Sequence, residues 1–216
     1  MGQKTNPINN RLLIVNEWQS KWFGGRNIAK LLVEDLKIRD FLKSELKNAG
    51  VEKVELIRSR DRLDIKIHTS KPGMVIGRGG QGINRLRDLV TSKFYPGGTP
   101  GIRVDIIENR LPELSAVLVA QSIGNQIERR IPYRRAAKQA VERTMAAKGL
   151  GIKVIVSGRL NGAEIARTEK FGQGSIPLSR FASRIDYAVY HAQTTYGVVG
   201  VKVWINLGDK VETEEE

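Results

Sequence analysis

The apolar positions Ile28, Leu31, Leu32, Leu36, Ile38, Phe41, Leu42 and Leu46 recur at steps of mostly three and four residues and predict an amphipathic helix that stops at Gly50. Over 51–58 and 62–69 the period changes to two, which predicts a tight antiparallel hairpin around the charged pair Arg60-Asp61. After Pro72 comes a glycine-rich turn, and then Ile83, Leu86, Leu89, Val90 and Phe94 at helical spacing. Residues 95–101 read as a Pro/Gly loop and 102–107 as a further strand. Arg110-Leu111-Pro112 reads as a domain joint, because proline restricts the residue before it and opens the next helix. Two helices over 113–130 and 133–148, split at Pro132 and ended by Gly149-Leu150-Gly151, precede four predicted strands at 152–159, 163–171, 184–194 and 198–206. Helices followed by strands predict an α+β domain in which two helices pack on one face of a mainly antiparallel four-stranded sheet. The polar lead, 1–25, carries Trp18, Trp22 and Phe23, and is predicted to dock on the body. The organisation expected is therefore a lead at 1–25, domains at 26–110 and 111–208, and an acidic disordered tail at 209–216.

Composition narrows the chemistry. Apolar residues make up 40% of the 216 positions and charged residues 27%, a globular balance with room for two domains. Cysteine is absent, which excludes a disulfide scaffold, a thiolate metal site and a cysteine nucleophile. His68 and His191 have no metal-ligand or Ser/His/Asp spacing, so both read as packed or hydrogen-bonded histidines, and no catalytic residue, metal or cofactor is predicted. Trp204 and Tyr187 read as aromatics packing on a sheet. Thirty-six Lys and Arg stand against 23 Asp and Glu, a net +13, and four of those acids fall in the last five residues. An excess of that size on a folded body selects phosphate polyanions or anionic membrane surfaces as partners. No apolar run approaches the roughly 20 residues needed to cross a bilayer, and no signal-like segment opens the chain, so a soluble cytoplasmic protein is expected.

The turn Gly77-Arg78-Gly79-Gly80-Gln81-Gly82 fits G-x-G-x-x-G, which invites a dinucleotide-binding reading and with it a nicotinamide-dependent enzyme. A Rossmann turn, however, leaves the first strand of a βαβ unit directly, whereas two strands and Lys71-Pro72-Gly73 precede this one. Gly77-Arg78-Gly79-Gly80 also fits the G-x-x-G loop with which a KH domain clamps single-stranded RNA. Glycines admit a phosphate close to the backbone, the next helix offers unpaired amides, and Arg78 adds charge. A plain helix connection is the third alternative. Around Pro132, Arg129, Arg130, Arg134, Arg135 and Lys138 form a basic cluster only partly offset by Glu128 and Glu142. Arg134 and Lys138 are four apart and share a helix face, suited either to plain solvation or to sequence-independent phosphate contact.

Helix, strand, strand, two helices joined by G-x-x-G, strand is the order of a type II KH domain. Met1-Gly2-Gln3-Lys4 with Asn6-Pro7, Pro72-Gly73-Met74-Val75-Ile76-Gly77, Val156-Ser157-Gly158-Arg159-Leu160, Gly162-Ala163-Glu164-Ile165-Ala166-Arg167, and Thr194-Thr195-Tyr196-Gly197-Val198 with Gly200-Val201-Lys202-Val203-Trp204 resemble the bacterial small-subunit ribosomal protein S-three family over nearly the whole chain. The resemblance implies a type II KH domain at 26–110, a C-terminal α+β ribosomal domain at 111–208, and a binding rather than enzymatic role in the head of the small ribosomal subunit. It implies that Arg134, Arg135 and Lys138 line the channel through which mRNA enters and help to hold and unwind it. Lys4, Arg129, Arg130, Arg159, Arg167 and Lys170 are further candidate RNA contacts. The partners implied are ribosomal RNA, mRNA and the neighbouring proteins S-ten and S-fourteen, with S-two and S-five as further ones; no cofactor, membrane or small-molecule substrate is implied. The chain departs from the family pattern at Asn6 (usually His), at Asn161 (usually Gly), at Arg180-Phe181-Ala182-Ser183-Arg184 in place of a Thr-Leu-Arg-Ala run, and in its acidic rather than basic C-terminal end.

Overall fold

The structure, a computed structural model, describes residues 4–59, 62–95 and 101–209. The charged hairpin turn at 60–61, the loop residues 96–100, residues 1–3 and the acidic tail from 210 onward lie outside the described residues. The chain forms two compact units, one of Trp18–Arg110 and one of Met1–Glu17 with Leu111–Glu216.

The first unit runs β1 (Ser20–Lys21), α1 (Ile28–Glu45), β2 (Val51–Arg58), β3 (Arg62–Thr69), α2 (Pro72–Ile76), α3 (Gln81–Phe94) and β4 (Gly101–Glu108). Its sheet has the order β1-β2-β3-β4; β2 and β3 are antiparallel, while β1 pairs with β2 and β4 with β3 in parallel. The period of two is visible in the burial: Leu63, Ile65 and Ile67 of β3 and Val54 and Leu56 of β2 bury against Ile38, Leu42, Val75, Leu86 and Val90 of the helices. The stripe read along α1 is broader than its buried face, since Leu32 and Leu36 are exposed while Asp35 between them is fully buried. Gly50, with φ 64°, takes the left-handed turn after the helix into β2.

The second unit runs α4 (Ala116–Glu128), α5 (Tyr133–Ala146), β5 (Gly151–Gly158), β6 (Arg167–Gly174), β7 (Ser183–Thr194) and β8 (Gly197–Asp209). Its sheet is antiparallel throughout, in the order β6-β5-β8-β7. Both helices lie on one face, where Ala116, Ile123, Ala136 and Ala137 meet Val154, Val156, Val201 and Val203. Small helix residues bring α4 close to the sheet; a Cβ on Gly124 would overlap the Tyr190 ring. The fold class is therefore α+β with two helices on a four-stranded sheet.

Two local expectations, the start of β6 and the anchoring of the lead's aromatics, are corrected. β6 starts at Arg167 rather than at 163, because Asn161 and Gly162 turn left-handed and Arg159 Nε holds the Ala163 carbonyl at 3.0 Å, so 163–166 remains loop. The lead divides between the two units, its residues to Glu17 clustering with the second and those from Trp18 with the first. Of its aromatics only Trp22 is anchored, through an indole N–H donated to Asp35 at 2.7 Å; Trp18 and Phe23 are 55% and 98% exposed.

Candidate nucleic-acid interface

The glycine turn joins α2 to α3 and is built by conformations that side chains rarely adopt. Gly77, Gly79 and Gly80 have φ of 68°, 59° and 79°. Gly82 has a different role: a Cβ there would overlap the Val75 carbonyl oxygen, so glycine lets the two helices cross closely. Gly79 and Gly80 have open space where a side chain would stand. Gly77, Arg78 and Gly79 are exposed and Gly80 half-buried. Gly80 is also the N-cap of α3 and supplies no capping side chain, so the first-turn amides and the positive end of the helix dipole face the turn beside Arg78. This is the geometry a phosphate needs, and it separates the turn from a Rossmann site, since α2 rather than a strand leads into it.

Substituting Arg78→Asp with Gly79→Asp is expected to weaken binding of single-stranded RNA and to flatten its dependence on salt by roughly 0.7 in log–log slope for each phosphate no longer held. Aspartate tolerates a left-handed backbone, so the turn keeps its shape. A titration series in increasing salt checks this, and an unchanged slope would remove the turn as a phosphate site.

In the second unit Arg134, Arg135 and Lys138 are all exposed on the first turns of α5, and Arg129 and Arg130 are exposed where α4 ends. They differ in electrostatic state. Arg134 forms a fork with Glu169 of β6, Nη2 to Oε1 at 2.8 Å and Nε to Oε2 at 3.1 Å, and the Tyr133 hydroxyl donates to the same carboxylate at 2.6 Å. Hydrogen bonds from Arg134 and Tyr133 hold the Glu169 carboxyl down to about 2, so it is ionised at neutral pH and the fork persists. Arg129, Arg130, Arg135 and Lys138 have no ion pair among the described residues, which leaves them as the available cations of the cluster, Arg135 and Lys138 on the helix itself.

The remaining candidates are dispersed. Arg159 lies in the turn after β5, its guanidinium 5.8 Å from the centre of the Tyr196 ring and its Nε on the Ala163 carbonyl. Arg167 is exposed at the start of β6. Lys4 and Lys170 belong with Lys153, which periodicity alone does not single out; burial and the nearby charges of Lys4 and Lys170 lower the Lys153 ammonium below its ordinary range. His68 sits on β3 with Nε2 3.4 Å from a Glu55 carboxylate oxygen, and burial together with Lys53 lowers its imidazole. No group of three or more His, Asp or Glu side chains among the described residues is placed to hold a metal ion.

Two known families match this chain: the KH domain over residues 37–114, and the family described as "Ribosomal protein S3, C-terminal domain" over residues 123–205. The chain is 48% identical over 212 residues to the small ribosomal subunit protein uS3 of Desulfitobacterium hafniense, covering 97% of this chain and 94% of the relative. It is 44% identical over 221 residues to uS3 of Brevibacillus brevis, covering 100% and 99%, and 45% identical over 209 residues to uS3 of Syntrophomonas wolfei, covering 97% and 90%.

Proposed function

This chain belongs to the uS3 family of small ribosomal subunit proteins, and on that premise we propose that it is a non-catalytic constituent of the subunit head that binds ribosomal RNA and grips incoming mRNA with Arg135 and Lys138, assisted by Arg134. The observation that carries the mRNA part is the exposure of Arg135 and Lys138 without an acidic partner among the described residues, on a helix whose Ala136, Ala137 and Val141 are buried against the sheet. A rigidly seated row of cations contacts phosphates whatever the base sequence, which is what a channel accepting every message requires. Unwinding then needs no nucleotide hydrolysis by this chain: the cations hold separated strands while translocation by the ribosome pulls them. The glycine turn of the KH domain is the second grip, on single-stranded RNA. S-ten and S-fourteen, with S-two and S-five, are the proposed protein neighbours.

Reconstituted small subunits carrying Arg135→Ala with Lys138→Ala are expected to slow on messages with stable hairpins while translating unstructured ones normally. Arg134→Ala alone is expected to do less, because a phosphate must compete with Glu169 for that guanidinium. Equal passage of structured and unstructured messages by the double variant would contradict the proposal.

A further inference from the structure

The sheet of the second unit buries one face under α4 and α5 and leaves the other uncovered along most of its length. Alternation and register define what the open face displays. One row across β6-β5-β8-β7 is Gly172, Lys153, Trp204 and Tyr187; the next is Lys170, Ile155, Lys202 and Val189; the third is Thr168, Ser157, Gly200 and His191. The alternate residues Val154, Val156, Ala188, Val201, Val203 and Ile205 all belong to the core beneath the helices, which fixes the direction of the rows.

Charge is segregated between the faces. The strands contain three acids, and none lies in these rows. Glu169 is taken by Arg134 and Tyr133, an Asp186 carboxylate oxygen accepts the amide of Ala116 at the start of α4 at 2.7 Å, and Asp209 closes the end of the sheet with Ser183 and Arg180. The lysines go the other way. Lys170 and Lys202 are exposed in one row two strands apart, roughly 10 Å at the ordinary strand spacing. Lys153 stands diagonally between them with its ammonium 5.7 Å from the centre of the Trp204 ring, and Trp204 packs on Tyr187 at 4.9 Å between centroids. Burial and the charge of Lys4 from the lead lower the Lys153 ammonium below its ordinary range.

We propose that this open sheet face, with Lys153, Lys170 and Lys202 on the strands, is a third RNA-binding surface that seats the sugar–phosphate backbone of a folded RNA. Like charges packed on one face oppose each other until a polyanion fills the space, and cations spread over some 10 Å match several phosphates rather than one. Counterion release on binding supplies the free energy. The charge of the face is carried by lysines, which contact phosphates whatever the base sequence, so recognition is sequence-independent. The proposal takes its ligand class from the RNA-binding reading above but uses none of the residues of the glycine turn or of α5.

The test uses the full-length chain with two probes, a short RNA duplex and oligouridylate. Lys153→Gln with Lys202→Gln is expected to lower the log–log salt slope by roughly 1.8 on the duplex and 1.4 on the single strand, two phosphates in each case. In the unsubstituted chain, the duplex is expected to shield Lys153, Lys170 and Lys202 from an amine-reactive label while the exposed Lys30 and Lys37 of α1 stay reactive. The labelling arm does not depend on the variant folding. A slope change here with none for Arg78→Asp/Gly79→Asp would uphold this surface and remove the glycine turn. Full labelling in the presence of RNA would overturn the proposal, as would shielding by polyglutamate but not by RNA.

Discussion

Arg11→Met is expected to destabilise the second unit by about 3–5 kcal/mol, because two buried and three partly buried carbonyls would lose their donor at once. Arg11 is fully buried and donates from every nitrogen: Nε to Ser183 O at 2.7 Å, Nη1 to Pro7 O at 3.1 Å, and Nη2 to the carbonyls of Arg180, Leu178 and Pro177 at 2.8, 3.2 and 3.3 Å. All five acceptors are backbone oxygens, so carbonyl dipoles balance the charge. Methionine replaces much of the volume and none of the donors, and an orphaned buried acceptor costs about 1–3 kcal/mol. The same guanidinium ties the lead to the 177–183 loop, so the variant is also expected to speed amide exchange in both segments. Urea unfolding with hydrogen exchange measures the two effects; a loss under about 1 kcal/mol would mean that the loop is held by something else.

Asp35→Ala is expected to cost the first unit a similar amount, about 3–5 kcal/mol. The Asp35 carboxylate is fully buried and accepts from Ser20 Oγ, Trp22 Nε1 and Arg58 Nε, each at 2.7 Å. Arg39 also donates to the Ser20 hydroxyl, and Arg58 Nη1 reaches Glu34 and Tyr95, each at 3.1 Å. One carboxylate thus joins β1 and the lead to α1 and β2. Its removal leaves Nε and Nη2 of the largely covered Arg58 side chain without their carboxylate, which is where most of the loss arises. Adding Arg58→Met to Asp35→Ala is therefore expected to recover part of the stability, a non-additivity that a double-mutant cycle by hydrogen exchange of the α1 amides would detect. Strict additivity would contradict the pairing.

These two linchpins mark where sequence reading stops. The alternation over β2 and β3 and the helices either side of Pro132 are local signals, and the elements follow them closely. The glycine turn is legible because its left-handed residues must be glycine or nearly so. Along the chain Arg11 and Asp35 look like ordinary surface charges, since burial of a charge depends on partners that lie up to 172 residues away. β1 exists only through a parallel pairing of two residues with β2, too short to have a period. Arg134 reads from sequence as a phosphate ligand, but its fork with Glu169, 35 residues away, depends on β6 lying against the start of α5. The lysine face is invisible along the chain for the same reason: Lys153, Lys170 and Lys202 become neighbours only once the β6-β5-β8 register is known.

The most direct measurement is RNA crosslinking of intact small subunits, with the attached RNA sequenced and the attachment sites mapped on this chain. The account predicts ribosomal RNA or other single-stranded RNA at 77–80 and mRNA at 134–138. Particles that contain the chain yet give no RNA at either region would contradict it.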